Sequence, residues 1–510
     1  MFEGLVMFGR AFMGFMNIES LFHVLWATQL GIIVGMLPGL TATMSVALLT
    51  TLTIGMAPNH AILILICIYV GCIYGGSRTA ILLNIPGTPA NAAATVDGYP
   101  LAQQGLAGKA IGIATTGSFL GTIIGIIAMA LFTPLLGNFA LKFQSFEFFW
   151  LGIFGIVICG NLTAPKDPLK GWIAGFIGLF VAMIGMEGIH AHVRYSFGSV
   201  NLASGVALIP AMVGVFGLAE VIIVMRQQNF QTVKTQINRV IPPIAELLRY
   251  WKSIIRSGIV GTFLGVVPGV GEDIAAWVSY DLAKRNAKKE EAEKFGKGSV
   301  EGLLAAETGN SASIPGALIP LLSLAVPGSA AGAVLLGAML IHGIKPGPLI
   351  MIENPLYIYE VTVMTLLSTI AMFILGLSMV KTLVKILTVP KQKLMPIVFV
   401  LCVVGAFALS SRMYDVRIMV IFGLLGFALR LMEYPMAPLV LGIILGEIVD
   451  RNLRRALLIS DGDLTPFFTR PISLVMFIMI VLVIVSRLPF VVKGFQMLKD
   501  KISAKKAVQQ

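Results

Sequence analysis

The sequence predicts an all-α polytopic membrane protein made of two inverted-topology repeats. Each repeat holds a re-entrant Pro-Gly hairpin and a broken helix, and a C-terminal transmembrane helix follows the second. Three observations carry this. Hydrophobic residues are 57% of the chain and charged residues only 12%, against about 25% charged in a soluble domain. The mean hydropathy is +0.90, and about a dozen apolar segments are long enough to cross or enter a bilayer. The third observation is an echo. GMLPGLTAT at 35–43 returns as GVVPGVGED at 265–273, each with a Pro-Gly pair that interrupts an apolar run and breaks helical hydrogen bonding. Gly31, Gly35 and Gly39 return as Gly261, Gly265 and Gly269, about 230 residues on, which argues for an internal duplication.

Taken in order, residues 1–19 read as an interfacial N-terminal helix, without the basic n-region of a cleaved signal peptide. The first repeat is residues 20–225, with its hairpin near 21–56. An apolar segment from Ala61 to Leu83 then runs into the polar stretch YGGSRTAILLNIPGTPANAAATVDGYP, 74–100, and further apolar segments lie near 108–136, 145–161, 170–187 and 204–225. Residues 226–254 read as an amphipathic basic linker, with Lys234, Arg239, Arg249 and Lys252.

The second repeat is residues 255–450, with its hairpin near 255–283. Arms of about 11 to 13 residues would span roughly 20 Å, short of the ~30 Å hydrocarbon core, so the hairpin must enter and leave on one face. Lys284, Arg285, Lys288 and Lys289 put its ends on the cytoplasmic side. The first hairpin has longer arms and nearly uncharged flanks, which suits an opening on the opposite face. VPGSAA at 326–331 matches IPGTPA at 85–90, and Asp415-Val416-Arg417 echoes Asp167-Pro168-Leu169-Lys170. Residues 451–510 read as a loop, a transmembrane helix near 472–490 and a basic tail. Arg451, Arg454 and Arg455 run against the inversion, because they favour a cytoplasmic loop where inversion expects the outside.

Several functions are excluded on pattern. The net charge of +12 sits in loops, which the positive-inside rule explains without nucleic acid. Cys67, Cys72, Cys159 and Cys402 lie in apolar runs with no disulfide or metal spacing, and the five histidines form no ligand pattern. HExxH, GxSxG and Walker signatures are missing, and GKGS at 296–299 lacks the preceding glycine. No enzyme, cofactor or metal is expected.

Paired broken segments in the two halves of a membrane protein point to a transport site. There, unwound carbonyls coordinate a cation and half-helix N-termini face an anion. Small polar residues gather at these breaks. Those expected to bind substrate are Pro38, Gly39, Thr41, Ser77, Arg78, Thr79, Asn84, Gly269, Asn310, Ser311 and Ser329; those expected to bind a cation are Thr43, Gly271, Glu272, Asp273, Glu307 and Thr308. Some readings stay open. Ser and Thr hydroxyls also bond back to their own helices. Arg78 suits a substrate carboxylate or a structural salt bridge. Glu307 suits a cation ligand, a protonation site or a helix N-terminal charge, and Glu272 with Asp273 suit a cation site or a helix N-terminus.

The motifs together resemble a known family. GMLPGL, YGG, IPGTP with DGYPLAQQG (97–105), GVVPGVG, VPGS, KPGP (345–348) and NLRRALLISDGD (452–463) occur in the order found in the large membrane subunit, TctA, of tripartite tricarboxylate transporters. The resemblance implies a secondary transporter of the bacterial inner membrane, driven by sodium or protons. It also implies a small four-helix TctB-like membrane subunit and a periplasmic TctC-like solute-binding protein. The substrate class it implies is a small carboxylate; an elevator-like movement is expected by analogy with other hairpin-bearing carriers. A cation/proton antiporter and an anion channel are the rival expectations.

Overall fold

A computed structural model of the chain describes residues 2–37, 40–164, 167–226, 240, 244–269, 271–380, 391–408 and 410–487. Among the described residues the strands are Gly185–Met186 and Val193–Arg194, paired antiparallel with Gly185 opposite Arg194; the other regular elements are helices. Six stretches are long and apolar enough to cross a membrane: Ile18–Gly35, Pro58–Leu83, Pro89–Ala140, Ser145–Thr163, Leu208–Arg226 and Leu356–Ser378. The chain is a multi-pass helical membrane protein. It forms two compact units, each from separate stretches of sequence: residues 1–142 with 206–432, and residues 143–205 with 433–510.

The first unit is organised around two helices, Pro58–Leu83 and Val300–Leu324. Every residue from Ala61 to Leu82 is buried, and so is every residue from Glu301 to Leu324. A helix apolar on all sides can be stable only with neighbours all round. Pro58 opens the first at its first turn, where the missing N–H costs nothing. Ser299 caps the second, its Oγ accepting from the Gly302 N–H at 3.1 Å. Inside the second, Pro315 has no N–H for the Ser311 carbonyl one turn back; Thr122 Oγ1, which donates to the Ser118 carbonyl at 2.8 Å, also lies 3.4 Å from the Ser311 carbonyl.

Glycine sets how closely the hairpins approach these helices. A Cβ at Gly31 or Gly35 would overlap the backbone of Ile68 or Cys72, and one at Gly261 or Gly265 the backbone of Gly309 or Ser313. The four-residue glycine spacing is thus a backbone-to-backbone contact face in both halves.

The hairpin arms differ from the sequence expectation. The second hairpin has two arms of 16 residues, Trp251–Val266 and Gly271–Asn286. At 1.5 Å per residue each runs about 24 Å, longer than expected but still short of ~30 Å. In the first, Ile18–Gly35 has 18 residues but Ala42–Leu52 only 11, so its second arm is the shortest of the four. Back-bonding hydroxyls and a left-handed glycine cluster where it stops. Thr50, Thr51 and Thr53 each donate to a carbonyl three or four residues back, at 2.6–2.7 Å, and Gly55 follows at φ 86°. The N-terminal helix covers Phe2–Phe15, and Asn17 caps the next one by accepting from the Ser20 N–H at 2.8 Å. In the linker, Lys234 and Arg239 lie outside the described residues, while Ile244–Arg249 is helical, with Glu246 2.6 Å from Lys109.

The second unit packs Ser145–Thr163 and Pro168–Ala182 against Met436–Ile459. Gly160 and Gly171 meet backbone to backbone, as do Gly175 and Gly442. Arg194 holds Asp450 through two bonds, at 3.0 and 2.8 Å, and Arg454 reaches Glu187 at 2.8 Å and Asp450 at 3.1 Å. Arg451 pairs with Glu447. The arginines that disturb the topology reading therefore lie on a helix, and these two carry acidic partners. The last described helix is Pro471–Val485, 15 residues; the expected segment continues to 490, beyond the described residues.

Candidate functional site

Both central helices stop in the same way. Asn84 and Ala325 end them with φ 56° and ψ 27°, a left-handed turn that Asn tolerates and Ala does not favour. The chain then turns back on itself: the Ile85 N–H donates to the Thr79 carbonyl at 3.4 Å, and the Val326 N–H to the Pro320 carbonyl at 3.2 Å. A Cβ at Gly87 would overlap the Gly35 carbonyl, and one at Gly328 the Gly265 carbonyl. Each break is therefore seated on the end of a hairpin arm. After the breaks, Thr88 precedes the turn Pro89–Asn91, and Ser329 caps Ala330–Ile341 by accepting from the Gly332 N–H at 3.0 Å.

The two halves meet at Tyr69, midway along the first central helix. Its hydroxyl lies 2.8 Å from Ser329 Oγ and donates to Glu272 Oε2 at 3.2 Å. Glu272 is buried at the start of the second hairpin's second arm, and Gly271 beside it packs on Ser329. Asp273, next to Glu272, is exposed. On the other side, Thr41 caps Ala42–Leu52 by accepting from the Met44 N–H at 3.2 Å. Ser45 Oγ donates to the Thr41 carbonyl at 2.8 Å and lies 3.5 Å from Cys72 Sγ, one turn along from Tyr69. Thr43 is buried between them. Pro38 and Gly39, expected at this tip, lie outside the described residues; Gly269, at the other, takes φ 73°.

A second cluster surrounds Glu307. Its Oε2 accepts from Ser77 Oγ at 2.7 Å and Ser118 Oγ at 3.0 Å. Asn91 Nδ2 donates to Ser77 Oγ at 2.8 Å and to the Ile73 carbonyl at 3.0 Å, and Thr88 Oγ1 donates to Asn91 Oδ1 at 2.5 Å. A backbone carbonyl can only accept, so the Asn91 amide orientation is fixed, and Ser77, accepting from it, has its own proton free to donate to an ionised Glu307. A continuous chain of hydrogen bonds thus links the first break to the acidic side chain of the second half. No Lys, Arg or His among the described residues lies within 4.0 Å of the Glu307 or Glu272 carboxylates.

One turn along from Glu307 the polar groups are unmatched. Both side-chain atoms of Asn310 and the Thr308 hydroxyl are buried with no partner, as is Ser279 Oγ on the second hairpin. A fold tolerates few such groups, since each costs about 1–3 kcal/mol. Ser311 is buried beside them.

Other expected residues lie elsewhere. Arg78 is 1% exposed; its Nε and Nη2 donate to Tyr74 OH at 3.2 and 2.7 Å, and Nη2 also to the Gly376 carbonyl. Its guanidinium stacks 5.0 Å from the Tyr74 ring centre, Nη1 has no partner, and no acidic residue pairs with it among the described residues. Thr79 bonds back to the Gly76 carbonyl at 2.9 Å, and Asn84 is exposed at the helix end.

Sequence reasoning missed Tyr69, Asn91, Ser118 and Asp97. One signal was present for Tyr69: it precedes Asn310 by the same interval that separates Gly87 from Gly328. Asp97, in the DGYP stretch, is fully buried, and its Oδ1 accepts from the N–H groups of Gly296, Gly298 and Ser299 at 2.8, 2.9 and 2.8 Å. The GKGS loop is thus an anion nest filled by a side chain of the same protein, with Gly296 and Gly298 at φ 86° and 109°.

Known proteins share sequence with this chain over most of its length. The profile described as "Tripartite tricarboxylate transporter TctA family" matches residues 21–441. The "Uncharacterized 52.8 kDa protein in TAR-I ttuC' 3'region" of Agrobacterium vitis is 33% identical over 474 residues, covering 90% of this chain and 92% of the relative. The "Uncharacterized protein in TAR-II ttuC' 3'region" of the same organism is 35% identical over 213 residues, covering 42% of this chain and 87% of the relative. No solved structure matches the chain. A match across most of the length makes the chain a member of the tripartite tricarboxylate transporter TctA family.

Proposed function

We propose that the chain is the large permease subunit of a tripartite secondary transporter that imports a small tri- or dicarboxylate, coupled to a sodium or proton gradient. The observation that carries this reading is the unpartnered Asn310 and Thr308 beside a carboxylate, Glu307, that has only neutral hydroxyl donors. Glu272, Asp273 and Glu307 would repel an anionic substrate by Coulomb's law unless a cation arrives with it. Cation binding and anion binding are then linked, so loaded and empty states move while half-loaded states do not. Thr43, Gly271 and Thr308 would complete the cation shell with the three carboxylates. Substrate would be held by Asn310, Ser311, Ser329, Ser77 and the tip residues Pro38, Gly39, Thr41 and Gly269, and Arg78 is a further candidate through its free Nη1.

In this reading the two hairpin and broken-helix halves are inverted repeats, and the hairpins are re-entrant from opposite faces. The glycine-packed body would slide as an elevator, by analogy with other hairpin-bearing carriers. A TctB-like subunit and a periplasmic TctC-like binding protein complete the system in the bacterial inner membrane, and the chain has no catalytic role. The test is uptake of labelled di- and tricarboxylates into proteoliposomes holding this chain, its small subunit and the cognate binding protein. Accumulation of one carboxylate under an imposed sodium or proton gradient supports the reading and identifies substrate and ion. Sodium–proton exchange without carboxylate would favour an antiporter, and unsaturable flux without the binding protein a channel.

A further inference from the structure

The histidines show no ligand pattern in sequence, yet the fold gathers two of them. Glu19 and His23 stand four residues apart on the Ile18–Gly35 helix, and His60 lies in the first turn of Pro58–Leu83. Glu19 Oε1 is 3.2 Å from His60 Nδ1 and 3.9 Å from His23 Nε2. The two imidazole centres are 5.4 Å apart, and the three donor atoms all lie within 4.8 Å of one another. Zinc held at about 2.1 Å from each tetrahedral ligand spaces those ligands about 3.4 Å apart. The observed spacings need little adjustment to reach that.

We propose that Glu19, His23 and His60 form a binding site for a divalent ion of the zinc class, separate from the transport site. Two imidazoles and one carboxylate suit zinc and its neighbours, whereas magnesium and calcium favour all-oxygen shells. The imidazoles are largely shielded, at 13% and 23% side-chain exposure, while Glu19 at 67% leaves a fourth position open to water. Among the described residues Glu19 pairs with no Lys or Arg, so no fixed cation fills the space. The ion would tie the outer end of the first hairpin's first arm to the first central helix.

Trp26 gives the site its own signal. Its indole N–H donates to His23 Nδ1 at 2.9 Å, which leaves the ring proton of neutral His23 on Nε2. Metal on Nε2 needs that proton on Nδ1 instead, so binding must release the indole. Zinc should therefore change the Trp26 emission.

The experiment uses the untagged full chain in detergent, stripped with EDTA and titrated with zinc sulfate alone. Bound metal is read by mass spectrometry after desalting, and tryptophan emission is followed in parallel. Wild type should retain one zinc per chain. His23→Gln and His60→Gln should each weaken binding by at least the roughly 10–100-fold that loss of a supporting partner costs. Glu19→Gln, on the exposed ligand, tests the same site with the least risk to folding. Trp26→Phe should bind at least as tightly as wild type but lose the emission change, and His190→Gln should bind as wild type. No retained zinc in wild type would overturn the proposal. So would unchanged affinity in all three ligand variants, or a Trp26→Phe loss as large as theirs.

Discussion

The two central modules share a backbone and divide the chemistry. Gly35 with Gly87 and Gly265 with Gly328 make the same close contact, and Asn84 and Ala325 make the same left-handed stop. The side chains at matching positions differ. Tyr69 stands where the second half has Asn310, Arg78 where it has Ile319, and Ala42-Thr43 where it has Glu272-Asp273. Around the acids, the first half contributes Tyr69, Ser77, Ser118 and Asn91, and the second contributes the Glu272 and Glu307 carboxyls, Ser329 and the unpartnered Asn310. The same backbone geometry therefore sets both breaks, and the side chains around each one differ.

The strongest way to break this comparison is at the glycines. Gly35→Ala and Gly265→Ala each push a methyl into a carbonyl on a neighbouring helix, so each should cost about 3 kcal/mol or more. Thermal unfolding in detergent, with the monodisperse fraction, reads both. Comparable losses sharpen the equivalence, and a silent member of the pair would break it. Next comes Glu307→Gln, which should lower uptake about 10–100-fold with the fold intact, as expected for removing a charged hydrogen-bonding group from a site. Tyr69→Phe removes the hydroxyl shared by Ser329 and Glu272 and should weaken cation-dependent uptake by about tenfold, read as a shift in the half-saturating ion concentration.

A smaller effect separates the two helix stops. Ala325→Gly should raise stability by about 1 kcal/mol, because glycine takes the left-handed conformation without a Cβ clash. Asn84→Ala should lower it by a similar amount. The smallest effect lies outside the membrane, at Glu291. Partial burial works against its charged form, but Lys294, Tyr250 and Arg249 together hold the carboxyl below its usual value. Its contribution is present above the unfolded value near 4.3 and fades as pH falls through the lower folded value. Wild type should lose more stability than Glu291→Gln in melts taken at successively lower pH.

Much of this was legible. Hydropathy gave the spans, and the repeated Pro-Gly and glycine spacing gave the paired breaks, because both follow from backbone chemistry that leaves a local mark. Ser77, Glu307, Glu272 and Ser329 were likewise visible as polar groups in apolar runs. Their partners were not. Tyr69 and Ser118 meet acids 203 and 189 residues away, and nothing local distinguishes them from an ordinary aromatic or hydroxyl. Arg78 was conspicuous for its charge, yet its contacts are an aromatic hydroxyl one turn back and a distant carbonyl. The reach of the first hairpin was misjudged because its second arm ends at Leu52, just before Gly55 takes a left-handed conformation, with no proline or charge at the stop.

Asp97 has a consequence for how the molecule comes together. Its carboxylate is synthesised about two hundred residues before the amides of Gly296, Gly298 and Ser299 that satisfy it. Until the second half emerges, that carboxylate has only water to bond, because the Gly302 backbone packed against it also belongs to the second half. The two halves are therefore not modules that could mature apart: an acid of one is satisfied only by the loop of the other.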